Sequence, residues 1–180
     1  MSPAPFEADF EQLFESAPIS LWLEDFSALK TLFDSWRAQG VEDVATYLRQ
    51  SPARLAQCSS AIRVLKVNRR TLQLFAAQDQ DKLLARLSEV FRGDMMERMV
   101  QEMDALWRGT LAYTNETVNY ALDGRRIDVQ IHVQVLQGHE ASWGRVMLSL
   151  EDITEQVQAR QQLAASEQHA RDLFDYSPVS

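Results

Sequence analysis

The sequence predicts an α+β domain: a five-stranded antiparallel sheet with helices gathered on one face. Three observations predict it. Residues 111–151 read as three successive strands joined by two turns, and the middle one, Arg126 to Leu136, alternates apolar and polar side chains throughout. Two shorter strand-like segments, Ile19–Leu23 and Ile62–Val67, stand far upstream of it. Between these strands the apolar residues recur at helical spacing, which places helices before and after the second strand but not inside the final meander.

In chain order, Phe6, Phe10, Leu13 and Phe14 share one face of a short amphipathic helix that ends before Pro18. In the first strand Ile19, Leu21 and Leu23 point one way, and Ser20 and Trp22 the other. Ser27 is expected to cap a helix with Leu29, Leu32, Phe33 and Trp36 on one face. Gly40 follows it as a left-handed cap. Two more short helices are expected at 42–49 and 52–59, the latter opened by Ser51-Pro52. After the second strand, Asn68 caps a helix over 69–76, and further helices are expected at 80–91 and 94–108. Asp123-Gly124 makes the first hairpin turn and Gly138-His139-Glu140 the second. In the strand between them Ile127, Val129, Ile131, Val133 and Val135 face the core, with Asp128 and His132 facing away. The last strand buries Val146, Leu148 and Leu150 and runs into a polar helix, Glu155 to about Asp172.

Composition narrows the class of function. The formal net charge of −8 argues against a nucleic-acid surface, which needs a basic face. No apolar run approaches the roughly 20 residues of a membrane span, and Met1–Phe6 lacks the features of a signal peptide. A cytoplasmic chain without membrane insertion is expected. One cysteine, Cys58, excludes an intrachain disulfide, and His132, His139 and His169 lack metal-ligand spacing, so no metal site is expected. No nucleophile, base and orienting group come together, and the chain itself is not expected to be an enzyme.

Four motifs, in order, carry a family resemblance. They are Leu13-Phe-Glu-Ser-Ala-Pro-Ile19, Val67-Asn68-Arg-Arg-Thr-Leu-Gln-Leu-Phe75, Asp123-Gly124 and Leu150-Glu-Asp-Ile-Thr154. The first recurs at the end of the chain as Leu173-Phe-Asp-Tyr-Ser-Pro-Val-Ser180. Together they make the chain resemble a PAS sensor domain, and in particular a subset from bacterial signalling proteins. In those proteins such domains precede histidine kinase or cyclic-di-GMP (GGDEF/EAL) output domains. One departure is the stretch 26–61, a helical insert where the first two strands of such domains usually meet in a tight turn. The implied organisation is a flanking helix at 1–18, a PAS domain at 19–152, a connecting helix at 153–172 and the start of a second module at 173–180.

The resemblance implies a pocket between sheet and short helices, a homodimer formed through flanking helices, and a junction at Asp152, Ile153 and Thr154 that couples sheet to output helix. Asp152 and Thr154 can each accept from free N–H groups of the helix start, which an ordinary cap also does. Phe75, Met96, Met99, Trp107, Ile131 and Leu148 are candidates for the pocket lining, or equally for plain core. Phe6, Phe10 and Phe14 on the first helix, with Leu163 and Ala170 on the last, are candidates for the dimer seam. That last seam is polar and thin, which suits a movable helix pair or a solvated linker. No cofactor is expected. Flavin is disfavoured because Cys58 precedes the second strand, and haem because no histidine faces the pocket helices. The expected function is a sensory and dimerisation module relaying a conformational signal to a downstream domain. The alternatives are a receptor for a specific small molecule and a purely structural dimerisation module.

Overall fold

Side-chain alternation sets the sheet, and the sheet positions everything else. The structure, a computed structural model, describes residues 5–91 and 95–176. Helix α1 (Pro5–Ser16) leads into strand β1 (Ser20–Asp25). Three helices follow, α2 (Ser27–Ala38), α3 (Val44–Arg49) and α4 (Pro52–Ser60), and then β2 (Arg63–Val67). Next come α5 (Arg69–Leu74), α6 (Gln80–Ala85), α7 (Leu87–Val90) and α8 (Met95–Trp107). Strands β3 (Ala112–Tyr120), β4 (Arg126–Val135) and β5 (Val146–Asp152) form the meander, and α9 (Thr154–Asp175) leaves it.

The five strands are antiparallel neighbours in the order β2-β1-β5-β4-β3. The first strand and the last therefore lie side by side at the centre, with Trp22 opposite Leu148. Between β1 and β2 the register slips at Leu23/Glu24, a bulge that leaves Leu65 out of the pairing. The Gln80 side chain covers the gap, accepting from the Val67 N–H at 2.8 Å. Gly124 holds the β3–β4 turn with φ +91°, a backbone that only glycine adopts without strain. Gly40 ends the first inserted helix in the same way, with φ +87°.

Asn68 ties three elements together. It is fully buried, and its carbonyl oxygen accepts from the Leu21 and Thr71 N–H groups at 3.0 Å each. Its amide donates to the Phe14 and Ile19 carbonyls at 3.1 and 2.9 Å. So the side chain that caps α5 also fixes the end of α1 and the start of β1. Phe14 is buried there, under Lys66, whose ammonium pairs with Glu11 and Glu15 of α1.

Three sequence expectations change in the structure. On β1 the inward face is Ser20, Trp22 and Glu24, while Ile19 is exposed, because the partner strands turn the Trp22 side toward the helices. The N-cap position of α2 is Phe26, which offers no side-chain cap; the Asp25 carboxylate before it accepts from the Ser27 N–H at 2.9 Å, and Ser27 itself is the first helical residue. Asp128 is buried rather than outward, for a reason given with the junction below.

The insert packs on the body of the domain. Leu29, Phe33 and Trp36 are buried and Leu32 half-buried, and the aromatic rings continue into the rest of the domain. Phe33 meets Trp107 edge-on at 5.3 Å and Trp143 at 6.0 Å, and Trp36 meets Tyr47 at 5.1 Å. Arg37 lies 4.2 Å over the Trp107 ring and donates to its carbonyl at 2.7 Å. The insert is thus clamped to the C-terminal end of α8 and to the β4–β5 loop. Cys58 is buried on α4, and that burial pushes its thiol up to about 12, so it behaves as a small apolar residue.

Candidate functional site

A cavity of about 420 Å³ lies between the inner face of the sheet and the helices. Trp22, Glu24 and Phe26 come from β1 and its exit, and Ile62 and Val64 from the entry to β2 and from β2 itself. Ile131 and Val133 of β4 and Leu148 and Leu150 of β5 make the floor. Met99, Glu102 and Met103 of α8 face them, and Leu87, Ser88 and Phe91 close one side. The parity of each strand determines this lining: i and i+2 residues share a face, so core-facing pairs such as Ile131/Val133 arrive together.

The wall is mostly apolar, with three acidic or phenolic groups. Glu24 is 6 % exposed, and burial first and the Glu102 carboxyl second push it up to about 8. Burial raises Glu102 to about 7, although the Asn115 amide donates to it at 3.1 Å and Arg98 opposes the shift. Tyr113 is raised by burial and by both carboxyls. Sequence reading missed all three. Glu24 shares the parity of Trp22, and Glu102 lies three residues after Met99 on the same helical face. Those spacings were the available signal, but charged residues at such positions read by default as outward.

The sequence candidates for the lining divide. Met99, Ile131 and Leu148 line the cavity. Phe75 does not; it is fully buried behind Trp22, in an edge-on contact at 6.0 Å. Met96 is 54 % exposed on the outer face of α8. Trp107 is drawn away to the insert, where its indole N–H donates to the Glu42 carbonyl at 3.2 Å.

The junction is built around Asp128 of β4. Its backbone N–H donates to the Thr154 hydroxyl at 3.1 Å, and its carbonyl accepts from the Ile153 N–H at 2.8 Å. Arg126 holds its carboxylate with two hydrogen bonds of 3.0 Å, which is why a buried carboxylate is tolerated. The Asp152 carboxylate accepts from both the Thr154 N–H, at 3.0 Å, and the Thr154 hydroxyl, at 2.6 Å. Ile153 is buried beneath this turn. Helix α9 starts here, and further along Arg160 pairs with Glu116 of β3 at 2.9 Å.

The seam candidates lie in different settings. Phe14 is buried within the chain, in stacking range of Phe10 at 6.0 Å; Phe10 is 43 % exposed. The Phe6 side chain lies outside the described residues. Leu163 and Ala170 are exposed, as is nearly all of α9, which buries no side chain. Of the terminal repeat, Leu173 to Asp175 continue the helix, and residues 177–180 lie outside the described residues.

Among the described residues no group of three or more His, Cys, Asp or Glu side chains is placed to hold a metal ion. Among them also, no helix is long and apolar enough to cross a membrane.

No protein-family model matches the chain, and no curated protein matches it. Solved structures do match. The LOV protein of Rhodobacter sphaeroides is similar at a TM-score of 0.55 and 15 % identity, over 89 % of this chain and 76 % of that one. A domain of a sensory box sensor histidine kinase/response regulator from Geobacter sulfurreducens matches at 0.51 and 14 %, over 82 % and 94 %. The PAS domain of a LuxR-family transcriptional regulator from Burkholderia thailandensis, solved in complex with ethanol, matches at 0.50 and 13 %, over 81 % and 98 %. The expectation that flavin is disfavoured is corrected by these matches. Several of the similar structures are LOV domains, which bind flavin, so the position of Cys58 does not set this fold apart from theirs. At this level of identity the likeness carries the fold and not the cofactor. The 180-residue chain has the fold of a PAS domain.

Proposed function

We propose that this chain is a sensory module of a bacterial signalling protein. It takes a small molecule into the cavity and relays the change through Asp152, Ile153 and Thr154 to α9, and so to an output domain beyond. One observation carries this reading: the cavity floor and the junction are the same two strands. Ile131 and Leu150 pair across β4 and β5 and line the cavity, while Val129 and Asp152 pair two residues further along. A ligand that spreads or tightens β4 against β5 therefore acts on Asp128 and Asp152, which hold the start of α9. Hydrogen exchange tests the relay. Filling the cavity with Val133→Phe should alter exchange over residues 155–160, and Asp152→Ala in the same chain should abolish that response. Unaltered exchange in Val133→Phe chain that remains folded would overturn the relay.

A homodimer in the cytoplasm, formed through the flanking helices, fits the same reading. Leu13 is 71 % and Leu163 63 % exposed, and an α9 with no buried side chain in its own chain has a face free for a second helix, which supports this reading.

A further inference from the structure

The chemistry of the cavity wall points to a class of ligand, on the premise of the reading above that a small molecule enters. Glu24 is buried, faces the cavity, and has no hydrogen bond to its carboxyl among the described residues. The bulge at Leu23/Glu24 lies at its own backbone. Glu102 faces the same space from α8, and Tyr113 from β3. Among the described residues no lysine, arginine or histidine lines the cavity. The remaining wall offers aromatic faces, notably Trp22 and Phe91, whose rings are 6.5 Å apart.

A buried carboxyl without a partner is unfavourable when ionised, and a second one beside it adds repulsion. A cation in the cavity removes both penalties at once and gains charge-assisted hydrogen bonds and ring contacts. A neutral ligand removes neither, and an anion is repelled by whichever carboxyl is ionised. We propose that the cavity binds an organic cation, a protonated amine on an aromatic body, with Glu24 as the ion-pair partner and Glu102 and the Tyr113 hydroxyl as acceptors around the ammonium. A volume of about 420 Å³ accommodates a bicyclic amine of this kind.

Protonation gives a second signature. In the empty cavity burial holds Glu24 up to about 8 and Glu102 up to about 7, so both carry protons for part of the time near neutral pH. A bound ammonium favours the ionised carboxylate, and the proton leaves to the buffer. Among the described residues Glu102 and Tyr113 are the titratable groups facing Glu24; β2, β4, β5, α2, α4 and α7 present none to the cavity. Arg98 acts on Glu102 without lining the cavity.

Titration calorimetry on the whole 180-residue chain at pH 7 with three isosteric probes decides the matter. Tryptamine should bind about tenfold or more tightly than tryptophol, the margin of one charge-assisted contact. Indole-3-acetate should bind more weakly than either. The tryptamine enthalpy should vary with the ionisation enthalpy of the buffer, and the tryptophol enthalpy should not. Glu24→Gln should remove the tryptamine advantage and leave tryptophol unchanged, and Glu102→Gln should reduce that advantage. Tryptophol or indole-3-acetate binding as tightly as tryptamine would overturn the cation preference while leaving a ligand-binding cavity in place. An unchanged advantage in folded Glu24→Gln protein would overturn the role of Glu24. Absence of binding by all three probes would overturn both the cation preference and the receptor reading.

Discussion

Glu24 makes the stability of this chain depend on pH in an unusual direction. Its folded value is about 8 against an ordinary 4.5, so between these two values the folded state holds a proton that the unfolded state has released. Stability is therefore fullest below about 4.5, falls as pH rises toward 8, and is level above it as far as Glu24 is concerned. The loss is on the order of a few kcal/mol, because holding one proton against its release costs about 1.4 kcal/mol for each step of one in pH. Urea unfolding at pH 5 and pH 8 should show a drop that Glu24→Gln reduces, the remainder belonging to Glu102, with the variant more stable than the parent at pH 8. Asn68 behaves in the opposite manner, because its partners are complete. Asn68→Ala strands the Phe14 and Ile19 carbonyls and the Leu21 N–H. A cost of about 3 kcal/mol or more is expected in urea titrations, summed over the groups left unpaired.

At the scale of the element, the insert and the junction differ in what holds them. Helix α2 is held by rings, with Trp36 5 % exposed and Phe33 wholly buried among Trp36, Trp107 and Trp143. Trp36→Asp should therefore destabilise the domain by about 3 kcal/mol or more in chemical unfolding, since it removes a large buried side chain and buries a charge. A cost below about 0.5 kcal/mol, the range of ordinary surface substitutions, would mean that this face is free. The junction is held by hydrogen bonds at a surface. Thr154→Val keeps the shape but removes the acceptor for the Asp128 N–H and the donor to Asp152. It should cost about 1 to 2 kcal/mol and speed amide exchange at residues 153–157, leaving the cavity strands protected.

The whole molecule combines a body with its own core and a helix that leaves it. Residues Leu173 to Asp175 end α9 as Leu13 to Glu15 end α1, yet Phe14 is 3 % exposed and Phe174 is 86 % exposed. Analytical ultracentrifugation of the chain should find a dimer whose fraction falls when residues 155–175 are removed. A monomer at high concentration would sink the dimer, although not the sensory reading.

Much of this architecture was legible in the residues. Alternation in Arg126–Leu136, the Asp123-Gly124 turn, Asn68 as a cap and the apolar face of α2 are local patterns, governed by backbone geometry within a few residues. The candidate site was legible only in part. Met99, Ile131 and Leu148 reach the cavity as apolar residues at core parity, whereas Phe75 and Trp107 have the same parity and pack elsewhere. Periodicity says which face a side chain is on, but not which neighbour fills the space opposite. Glu24 and Glu102, 78 residues apart, meet only across the folded cavity, whereas Asp128 is held by Arg126 two residues away, a pair that the alternation alone read as outward. By itself the sequence determined the strands, the helices, their order and the family they resemble, because those follow from short-range periodicity and turn chemistry. Only the tertiary structure decided that two carboxyls share one enclosed cavity and that its floor continues into the helix junction, because burial and charge pairing arise between segments remote in the chain.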